Sequence, residues 1–186
     1  MTEVATKVLV RPPGRPVRAV LALGANLGDR RATLQAAVDD LAGFEGIRVT
    51  AASPVVATAP VGGPEQPDYL NAVLLVDTLL APLDLLAACQ QVEQEHGRVR
   101  VVRWGPRTLD IDVISYAGVI GAVPGLELPH PRAAERAFVL APWLSVDPDA
   151  VLPGPHGGRP VRELLAVAPD RDGVRDAGVE PLVVTG

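Results

Sequence analysis

Residues 97–113 combine an arginine-rich loop with an acidic strand, and this stretch constrains the chain more than any other. Four arginines lie between residues 98 and 107, and a Trp-Gly-Pro turn interrupts them. Asp110 and Asp112 then follow inside an apolar, β-branched run. Because side chains alternate across a strand, the apolar residues of this run face one side and the two aspartates face the other. The pattern predicts a half-buried strand with two adjacent carboxylates on its open face.

Two carboxylates on one face repel each other unless water or a cation lies between them. Hard oxygen ligands with few protein partners suit Mg²⁺, which keeps waters and takes further ligands from substrate phosphates. Arginine side chains bind phosphate oxygens in bidentate pairs and keep their charge at any working pH. The stretch therefore indicates a polyphosphate and metal site. The same two aspartates also fit the solvent face of an amphipathic edge strand.

Four blocks of the chain, taken in order, form a pattern that is long and irregular enough to be specific. They are Leu23–Asp29, then Thr58–Pro60 with Gln66–Asn71, then Arg103–Asp112, then Pro129–Arg132 with Arg136 and Phe138–Leu140. Together they span roughly residues 18–152. The pattern resembles the 6-hydroxymethyl-7,8-dihydropterin pyrophosphokinases of folate synthesis. The resemblance implies an enzyme that transfers pyrophosphate from ATP to the hydroxymethyl group of the pterin and releases AMP.

The resemblance also implies residues that bind metal and nucleotide. Asp110 and Asp112 would hold two Mg²⁺ ions, and one of them, with Asp112 favoured, would accept the hydroxyl proton. Arg98 and Arg100 would act with the aspartates as catalytic residues, on a loop that closes over ATP and excludes water. The residues implied to bind ATP are Gln90, Glu93, Arg98, Arg100, Arg107, Val113, His130 and Arg136.

A further set of matching residues would bind the pterin. Tyr69 and Phe138 would stack on the two faces of the heterocycle, and Trp104 would cover it as part of the mobile loop. Asn71 donates and accepts hydrogen bonds at once, which suits the edge of a pterin. The full set implied for the pterin is Thr58, Ala59, Val61, Tyr69, Asn71, Trp104 and Phe138.

Simpler interpretations stay open for several of these residues when each is taken alone. Phe138 also fits a core aromatic, and His130 fits a structural residue in a Pro-His-Pro turn. Gln90 and Glu93 also fit the solvated face of a helix.

The order of predicted elements indicates the fold class. Strands are predicted over residues 17–23, 47–56, 69–78 and 109–113, helices end at Gly43 and near His96, and two shorter helices follow at 132–145 and 161–167. This βαββαβ order is typical of a ferredoxin-like α+β core, in which two helices pack on one face of an antiparallel sheet. We expect a flexible leader over residues 1–16, a pyrophosphokinase domain over 17–152, and a partly disordered C-terminal extension over 153–186.

Composition bounds the remaining possibilities. A chain of 186 residues with 48% hydrophobic content is sufficient for one domain with a core. The net charge of −5 argues against a nucleic-acid partner. No run approaches the roughly 20 apolar residues that cross a bilayer, so no membrane association is expected. The single cysteine, Cys89, rules out an internal disulfide and indicates a buried helix residue.

We therefore expect a cytoplasmic monomer that binds ATP and a pterin. Two other functions stay open at this point. One is a paralogue that binds ATP without turning it over, and the other is a ferredoxin-like module that binds single-stranded nucleic acid.

Overall fold

The computed structural model describes residues 9–60, 66–97, 108–155 and 157–185. Its strands are β1 (Val17–Ala25), β2 (Ile47–Ala52), β3 (Val56–Thr58), β4 (Tyr69–Thr78), β5 (Asp110–Tyr116), β6 (Gly121–Val123), β7 (Leu126–Leu128), β8 (Val151–Leu152), β9 (Arg159–Pro160) and β10 (Arg175–Asp176). Its α-helices are α1 (Arg30–Gly43), α2 (Pro82–Glu95), α3 (Ala137–Val146) and α4 (Val161–Ala166), with 3₁₀ turns at Ala133–Glu135 and Arg171–Gly173.

The main sheet is antiparallel and runs in the order β10-β3-β4-β1-β5, with β2 also paired to β4. This order, with helices packed on the sheet, confirms the predicted α+β ferredoxin-like core. Strand β1 lies between β4 and β5, which are distant in sequence. Its next-to-last residue, Gly24, is opposite Asn71 of β4 and Asp110 of β5. The register therefore brings the polar ends of three strands to one edge of the sheet.

The predicted strand over residues 47–56 is divided into β2 and β3 by a short interruption. Pro54 has no backbone N–H with which to continue a ladder. Ser53 compensates, because its Oγ accepts a hydrogen bond from the Val73 N–H at 2.9 Å while its own N–H donates to the Val73 carbonyl at 2.9 Å. Pairing to β4 then resumes at Val56, opposite Asn71.

Helices α1 and α2 cover one face of the sheet. Leu34, Val38 and Leu41 of α1 and Leu85, Cys89 and Val92 of α2 are buried in one cluster with sheet residues such as Leu21, Leu23, Leu74 and Val76. The N-terminus of α1 is capped by Asp29, whose carboxylate accepts a hydrogen bond from the Ala32 N–H at 3.0 Å. Burial raises the pKa of the Cys89 thiol to about 12, so Cys89 is a core residue as expected.

The opposite face of the sheet is also buried, which the prediction of two helices on one face leaves out. Helices α3 and α4 cover it through a second cluster. That cluster contains Val20, Val73, Leu75 and Ile114 from the sheet and Val139, Leu140, Trp143, Val161 and Leu164 from the helices. Burial on both faces explains why β4 is almost uniformly apolar rather than alternating.

Both ends of the described chain pack on this core. Leu9, in the expected leader, is completely buried. We expect partial disorder after residue 153, whereas β10 adds a strand to β3 and Leu182 is only 7% exposed. Gln35 of α1 holds the tail by accepting a hydrogen bond from the Val183 N–H and donating one to the Val183 carbonyl, each 2.9 Å long. The residues of α1 thus anchor the C-terminal segment.

Across the described ranges, every helix falls short of the length and apolar character that a membrane crossing needs.

Asp77 lies at the end of β4 that is remote from the cluster of polar strand ends, and it forms ion pairs with Arg18 and Arg48. Burial raises its pKa, but hydrogen bonds from Arg48 at 2.6 Å and Arg18 at 3.0 Å outweigh this, and the net pKa is lowered. Because the ionised form is favoured in the folded state, this contribution is complete above the unfolded pKa of about 3.9 and is lost as the pH falls through the lowered folded value.

We expect Asp77→Asn to lower the free energy of unfolding by roughly 0.5–1 kcal/mol at neutral pH, because both arginines are largely exposed. Urea unfolding of wild type and variant, repeated from about pH 7 to about pH 2.5, should show the difference shrinking in acid. Asp149→Asn, at an exposed position, is the control. A difference that stays constant with pH would rule out the ion pairs as its cause.

Candidate active site

A cavity of about 800 Å³ opens at the edge where β1, β3, β4 and β5 end, beside the start of α3. Its volume lies in the range of pockets that enclose a small organic ligand. The structure brings together in its lining many of the residues named from sequence: Thr58, Ala59, Tyr69, Asn71, Asp110, Asp112, Arg136 and Phe138. They come from three strands, β3, β4 and β5, from the residue after β3 and from the start of α3, so the sheet register rather than local sequence assembles them.

Gly24 lies in the lining at the centre of this edge. A Cβ atom there would approach Asn71 Oδ1 to 3.2 Å, which is a tight contact with a buried side chain. The absence of a side chain therefore leaves the space between the Asn71 amide and the two aspartates open. The first strand is predicted to end at residue 23, whereas β1 continues through Gly24 to Ala25.

One wall of the cavity is a hydrogen-bonded polar and aromatic surface. Asn71 Nδ2 donates to Thr58 Oγ1 at 3.0 Å, which fixes the plane of the amide. The fully buried Asn26 donates from Nδ2 to Gln66 Oε1 at 2.8 Å, and the Tyr69 hydroxyl is 3.4 Å from the same Gln66 oxygen. These bonds hold Tyr69 and Asn71 at fixed positions along the same wall.

The opposite wall places a cation between a carboxylate and an aromatic ring. Arg136 Nη1 donates to Asp112 Oδ2 at 3.1 Å, and the Arg136 guanidinium carbon lies 5.6 Å from the centroid of the Phe138 ring. Phe138 is partly buried and lines the cavity while its inner side packs on the second cluster. Both interpretations of Phe138, as a core aromatic and as a ligand-facing ring, therefore describe part of its environment.

His130 lies beside the acidic strand and is held by two backbone contacts. Its Nδ1 accepts a hydrogen bond from the Arg132 N–H at 3.1 Å, and its own N–H donates to the Ile114 carbonyl at 2.9 Å. Burial lowers the pKa of His130, and Asp112 opposes that shift. In the neutral imidazole that results, the proton is on Nε2, which lies 3.7 Å from Asp112 Oδ2.

A second cavity of about 400 Å³ adjoins the first, and Asp112 lines both. Residues from α2, β5 and the β6–β7 hairpin line it, and both apolar and polar side chains contribute to its surface. The lining includes Leu86, Asp112, Val113, Val123, Leu126, Glu127 and His130. Val113 and His130, both implied by the resemblance to bind ATP, are thus brought to a separate but connected space.

Comparison with known proteins agrees with this arrangement. A family model described as 7,8-dihydro-6-hydroxymethylpterin-pyrophosphokinase (HPPK) matches residues 20–148, which is most of the chain. The chain belongs to this family. The resemblance stated from sequence is therefore confirmed.

Relatives named 2-amino-4-hydroxy-6-hydroxymethyldihydropteridine pyrophosphokinase share nearly half of their residues with the chain. The protein from Pseudomonas aeruginosa is 45% identical over 152 residues, which cover 82% of the chain and 92% of the relative. The protein from Mycobacterium leprae is 47% identical over 171 residues, which cover 85% of the chain and 87% of the relative. In Schizosaccharomyces pombe, the folic acid synthesis protein fol1 is 40% identical, and the match covers 84% of the chain but 21% of fol1.

Solved structures of two-part HPPK-DHPS proteins share the fold. One, in complex with substrates, has a TM-score of 0.62 and 11% identity, covering 81% of the chain and 43% of the solved chain. A second, from Plasmodium falciparum, has a TM-score of 0.64 and 13% identity, covering 87% and 45%. The chain thus spans less than half the length of these proteins.

Asp110 and Asp112 supply hard oxygen donors of the kind that Mg²⁺ binds. Asp110 and Asp112 lie two residues apart on one face of β5, and both line the larger cavity. Among the described residues no group of three or more ligating side chains lies close enough to hold a metal ion alone. Two carboxylates with the rest of the shell open to water and phosphate are the arrangement that Mg²⁺ takes in phosphoryl-transfer sites.

Two residues named for ATP lie away from both cavities. Gln90 is exposed on α2. Glu93 is only 2% exposed, and its Oε1 accepts a hydrogen bond from the Ile111 N–H at 2.7 Å. The alternative of a solvated helix face therefore does not describe Glu93, which lies directly beneath the acidic strand. ATP binding by either residue stays a prediction. Val61, Arg98, Arg100, Trp104 and Arg107 lie outside the described residues.

Several cavity residues were not named from sequence. Gly24, Pro60 and Gln66 lie in the sequence blocks that form the family pattern, so their position in these blocks could have identified them as site residues. Pro169, Asp170 and Gly173 come from the C-terminal extension and also line the larger cavity. No motif marks these three residues, because their relation to the site depends on long-range packing alone.

Proposed function

We propose that this chain transfers the pyrophosphoryl group of ATP to the hydroxymethyl oxygen of 6-hydroxymethyl-7,8-dihydropterin, giving the pterin diphosphate and AMP. The proposal is supported chiefly by the composition of the larger cavity. Its lining contains the amide of Asn71 and the rings of Tyr69 and Phe138. The same lining contains the carboxylates of Asp110 and Asp112. A flat heterocycle with hydrogen-bonding edges fits the first part, and a polyphosphate with magnesium fits the second.

The residues of this cavity would orient the pterin. Tyr69 and Phe138 would stack against its faces, and Asn71 would hydrogen-bond its edge, with Thr58, Ala59, Val61 and Trp104 completing the subsite. Because the aspartates line the same cavity, a pterin bound in this way directs its hydroxymethyl group toward them. Binding both reactants in one cavity converts a bimolecular reaction into an intramolecular one.

The second cavity would receive the nucleoside part of ATP. Apolar residues in its lining, including Leu86 and Val113, suit a purine base, and the cavity meets the larger one at Asp112. The triphosphate would then cross the acidic strand, with its β-phosphorus close to the hydroxymethyl oxygen. Attack there forms the new O–P bond, breaks the bond between the α,β-bridging oxygen and the β-phosphorus, and releases AMP.

Charge near the reacting phosphates would be balanced by cationic side chains. Arg136 lies against Asp112, and Arg98, Arg100 and Arg107 would add to it from the loop before the strand. His130 would donate from Nε2, because its Nδ1 accepts the Arg132 N–H. Asp112 would accept the proton that leaves the hydroxyl group. Gln90 and Glu93 are the remaining residues assigned to the nucleotide side.

Asp110 and Asp112 would hold two Mg²⁺ ions, which neutralise phosphate charge and polarise the attacking hydroxyl group when bound. The proposal also takes the enzyme to be a cytoplasmic monomer.

The test follows phosphorus from ATP labelled separately at the α, β and γ positions. With 6-hydroxymethyl-7,8-dihydropterin, the β label and the γ label should each appear in the pterin product, and the α label should appear in AMP. The matched control substrate is 6-methyl-7,8-dihydropterin, which lacks the attacking hydroxyl group. Formation of ADP would contradict attack at the β-phosphorus. ATP binding without pterin-dependent AMP would instead identify a non-catalytic paralogue.

A further inference from the structure

The C-terminal segment 169–177 contacts both walls of the larger cavity. Pro169, Asp170 and Gly173 line it directly. Segment 169–177 lies beyond the region that the family model matches, which ends at residue 148. Its contacts with the two walls are specific hydrogen bonds and an ion pair.

The first contact fixes the start of helix α3. Arg136 is the N-cap residue, but its side chain makes no capping hydrogen bond. Asp170 performs this role from 33 residues away, because its Oδ1 accepts a hydrogen bond from the Ala137 N–H at 2.8 Å. A carboxylate at this position satisfies a free N–H group and interacts favourably with the helix dipole.

This cap lies between two residues of the site. Ala137 is completely buried, and its neighbours in sequence are Arg136 and Phe138. Arg136 bonds to Asp112 at 3.1 Å, and the Phe138 ring lies under the Arg136 guanidinium. The backbone position that Asp170 holds therefore determines where both side chains enter the cavity.

The second contact holds the opposite wall. Strand β10 pairs with β3, so that Arg175 is opposite Ala57, and Arg175 Nη2 lies 2.7 Å from Asp68 Oδ2. Asp68 immediately precedes Tyr69, which is itself opposite Thr58 across the β3–β4 ladder. The segment is thus bonded to the strand and the loop that carry the polar and aromatic surface.

From these two contacts we propose that segment 169–177 forms part of the pterin subsite and that Asp170 is a positioning residue for Arg136 and Phe138. The proposal rests on the function proposed above. Loss of the Asp170 cap lets the first turn of α3 shift, which changes the distance between the Phe138 ring and the Tyr69 wall. The pterin subsite is affected directly, whereas the apolar cavity assigned to the nucleoside lies beyond Asp112 and has no contact with the segment among its described lining residues.

The experiment compares Asp170→Ala, Asp170→Asn and Asp172→Ala in full-length enzyme. Asparagine keeps an oxygen that caps a helix, whereas alanine removes it. Asp172 is in the same turn, with a side chain 94% exposed, and serves as the matched control. Asp170→Ala should raise the KM for the pterin about fivefold and leave the KM for ATP within about twofold. Asp170→Asn and Asp172→Ala should remain close to wild type.

A second pair of variants keeps the test decisive if Asp170→Ala does not fold. Arg175→Met removes the ion pair with Asp68 and should also raise the KM for the pterin, whereas Arg171→Met, an exposed arginine in the same segment, should not. Unchanged pterin KM values in the folded variants would overturn the proposal. Pterin and ATP KM values that rise together with a lower Tm would overturn it as well, because they indicate a purely structural role.

A binding measurement separates this proposal from the proposed function. The fluorescent oxidised compound 6-hydroxymethylpterin is titrated into each variant together with α,β-methylene ATP, in which the bond to be broken is blocked. If the wild type forms no AMP, the proposed function fails, and weaker pterin binding by Asp170→Ala than by Asp172→Ala would still support the positioning role. A wild type that binds no pterin would overturn both.

Discussion

Replacing Asp112 by asparagine is expected to lower kcat for pterin-dependent AMP formation by at least about a thousandfold, with the enzyme still folded. The carboxamide has the same shape but no charge, so it cannot hold Mg²⁺ against the phosphates or accept the hydroxyl proton. Asp112 lines both cavities and bonds to Arg136. Its loss therefore affects the metal, the proton acceptor and the position of the arginine together.

Asp110→Asn should show a loss of the same kind but smaller, because Asp110 lines only the larger of the two cavities. AMP formation is measured at saturating pterin over a range of Mg²⁺ concentrations, alongside Tm. Asp149→Asn at an exposed site is the control for removal of one carboxylate. If Asp112→Asn retained wild-type kcat, the carboxylate pair would not be the metal site. Full restoration of kcat by excess Mg²⁺ would instead rule out Asp112 as the proton acceptor and leave it as a metal ligand.

Local sequence predicted the bounds of strands and helices closely where end signals and hydrophobic periodicity agreed. Strand β4 has the predicted bounds, Tyr69–Thr78, and α2 ends at Glu95, next to the predicted end near His96. The bounds were readable because proline, glycine and charged residues mark where an apolar run stops. The break at Ser53 was less predictable, because it depends on a side chain that replaces a backbone group in the ladder with Val73.

Local sequence patterns did not predict the long-range packing of the elements. Nothing in the run that forms β1 indicates that it lies between β4 and β5, and the opposition of Gly24 to both Asn71 and Asp110 follows only from that order. The same limit applies to the C-terminal extension. Asp170 is one acid among several in a polar tail, and its significance depends on an amide at Ala137 that is remote in sequence.

The metal-binding part of the candidate site could be predicted from the residues themselves, whereas the pterin-binding part could not. Physical reasoning from residues reached the Asp110 and Asp112 pair, because alternation along a strand and the chemistry of Mg²⁺ are general. The assignment of Thr58, Asn71 and Phe138 to a pterin came from the family resemblance. Physical reasoning alone left it open whether Phe138 is a core residue or faces a ligand. The structure shows a ring with one side in the core and one side toward the cavity.

Glu93→Ala is expected to have the largest effect on stability of the variants considered, lowering the free energy of unfolding by roughly 2–4 kcal/mol. Glu93 is 2% exposed, and its Oε1 accepts the Ile111 N–H at 2.7 Å, at the residue between the two aspartates. Alanine leaves that buried N–H without this acceptor and opens a cavity between α2 and β5. Urea unfolding of the variant, with Glu95→Ala as an exposed control on the same helix, measures the loss.

Glu93→Gln separates the two properties of this side chain. Glutamine retains an oxygen for the Ile111 N–H but carries no charge, so stability should be largely kept. If the charge itself is needed at the nucleotide side, the KM for ATP should rise in Glu93→Gln although the protein remains as stable as the control. If the oxygen alone matters, Glu93→Gln should match wild type in KM and kcat, and Glu93 would act on the reaction only by holding Asp110 and Asp112 in position. Equal stability of Glu93→Ala and Glu95→Ala would contradict both accounts, because the bond to β5 would then contribute nothing.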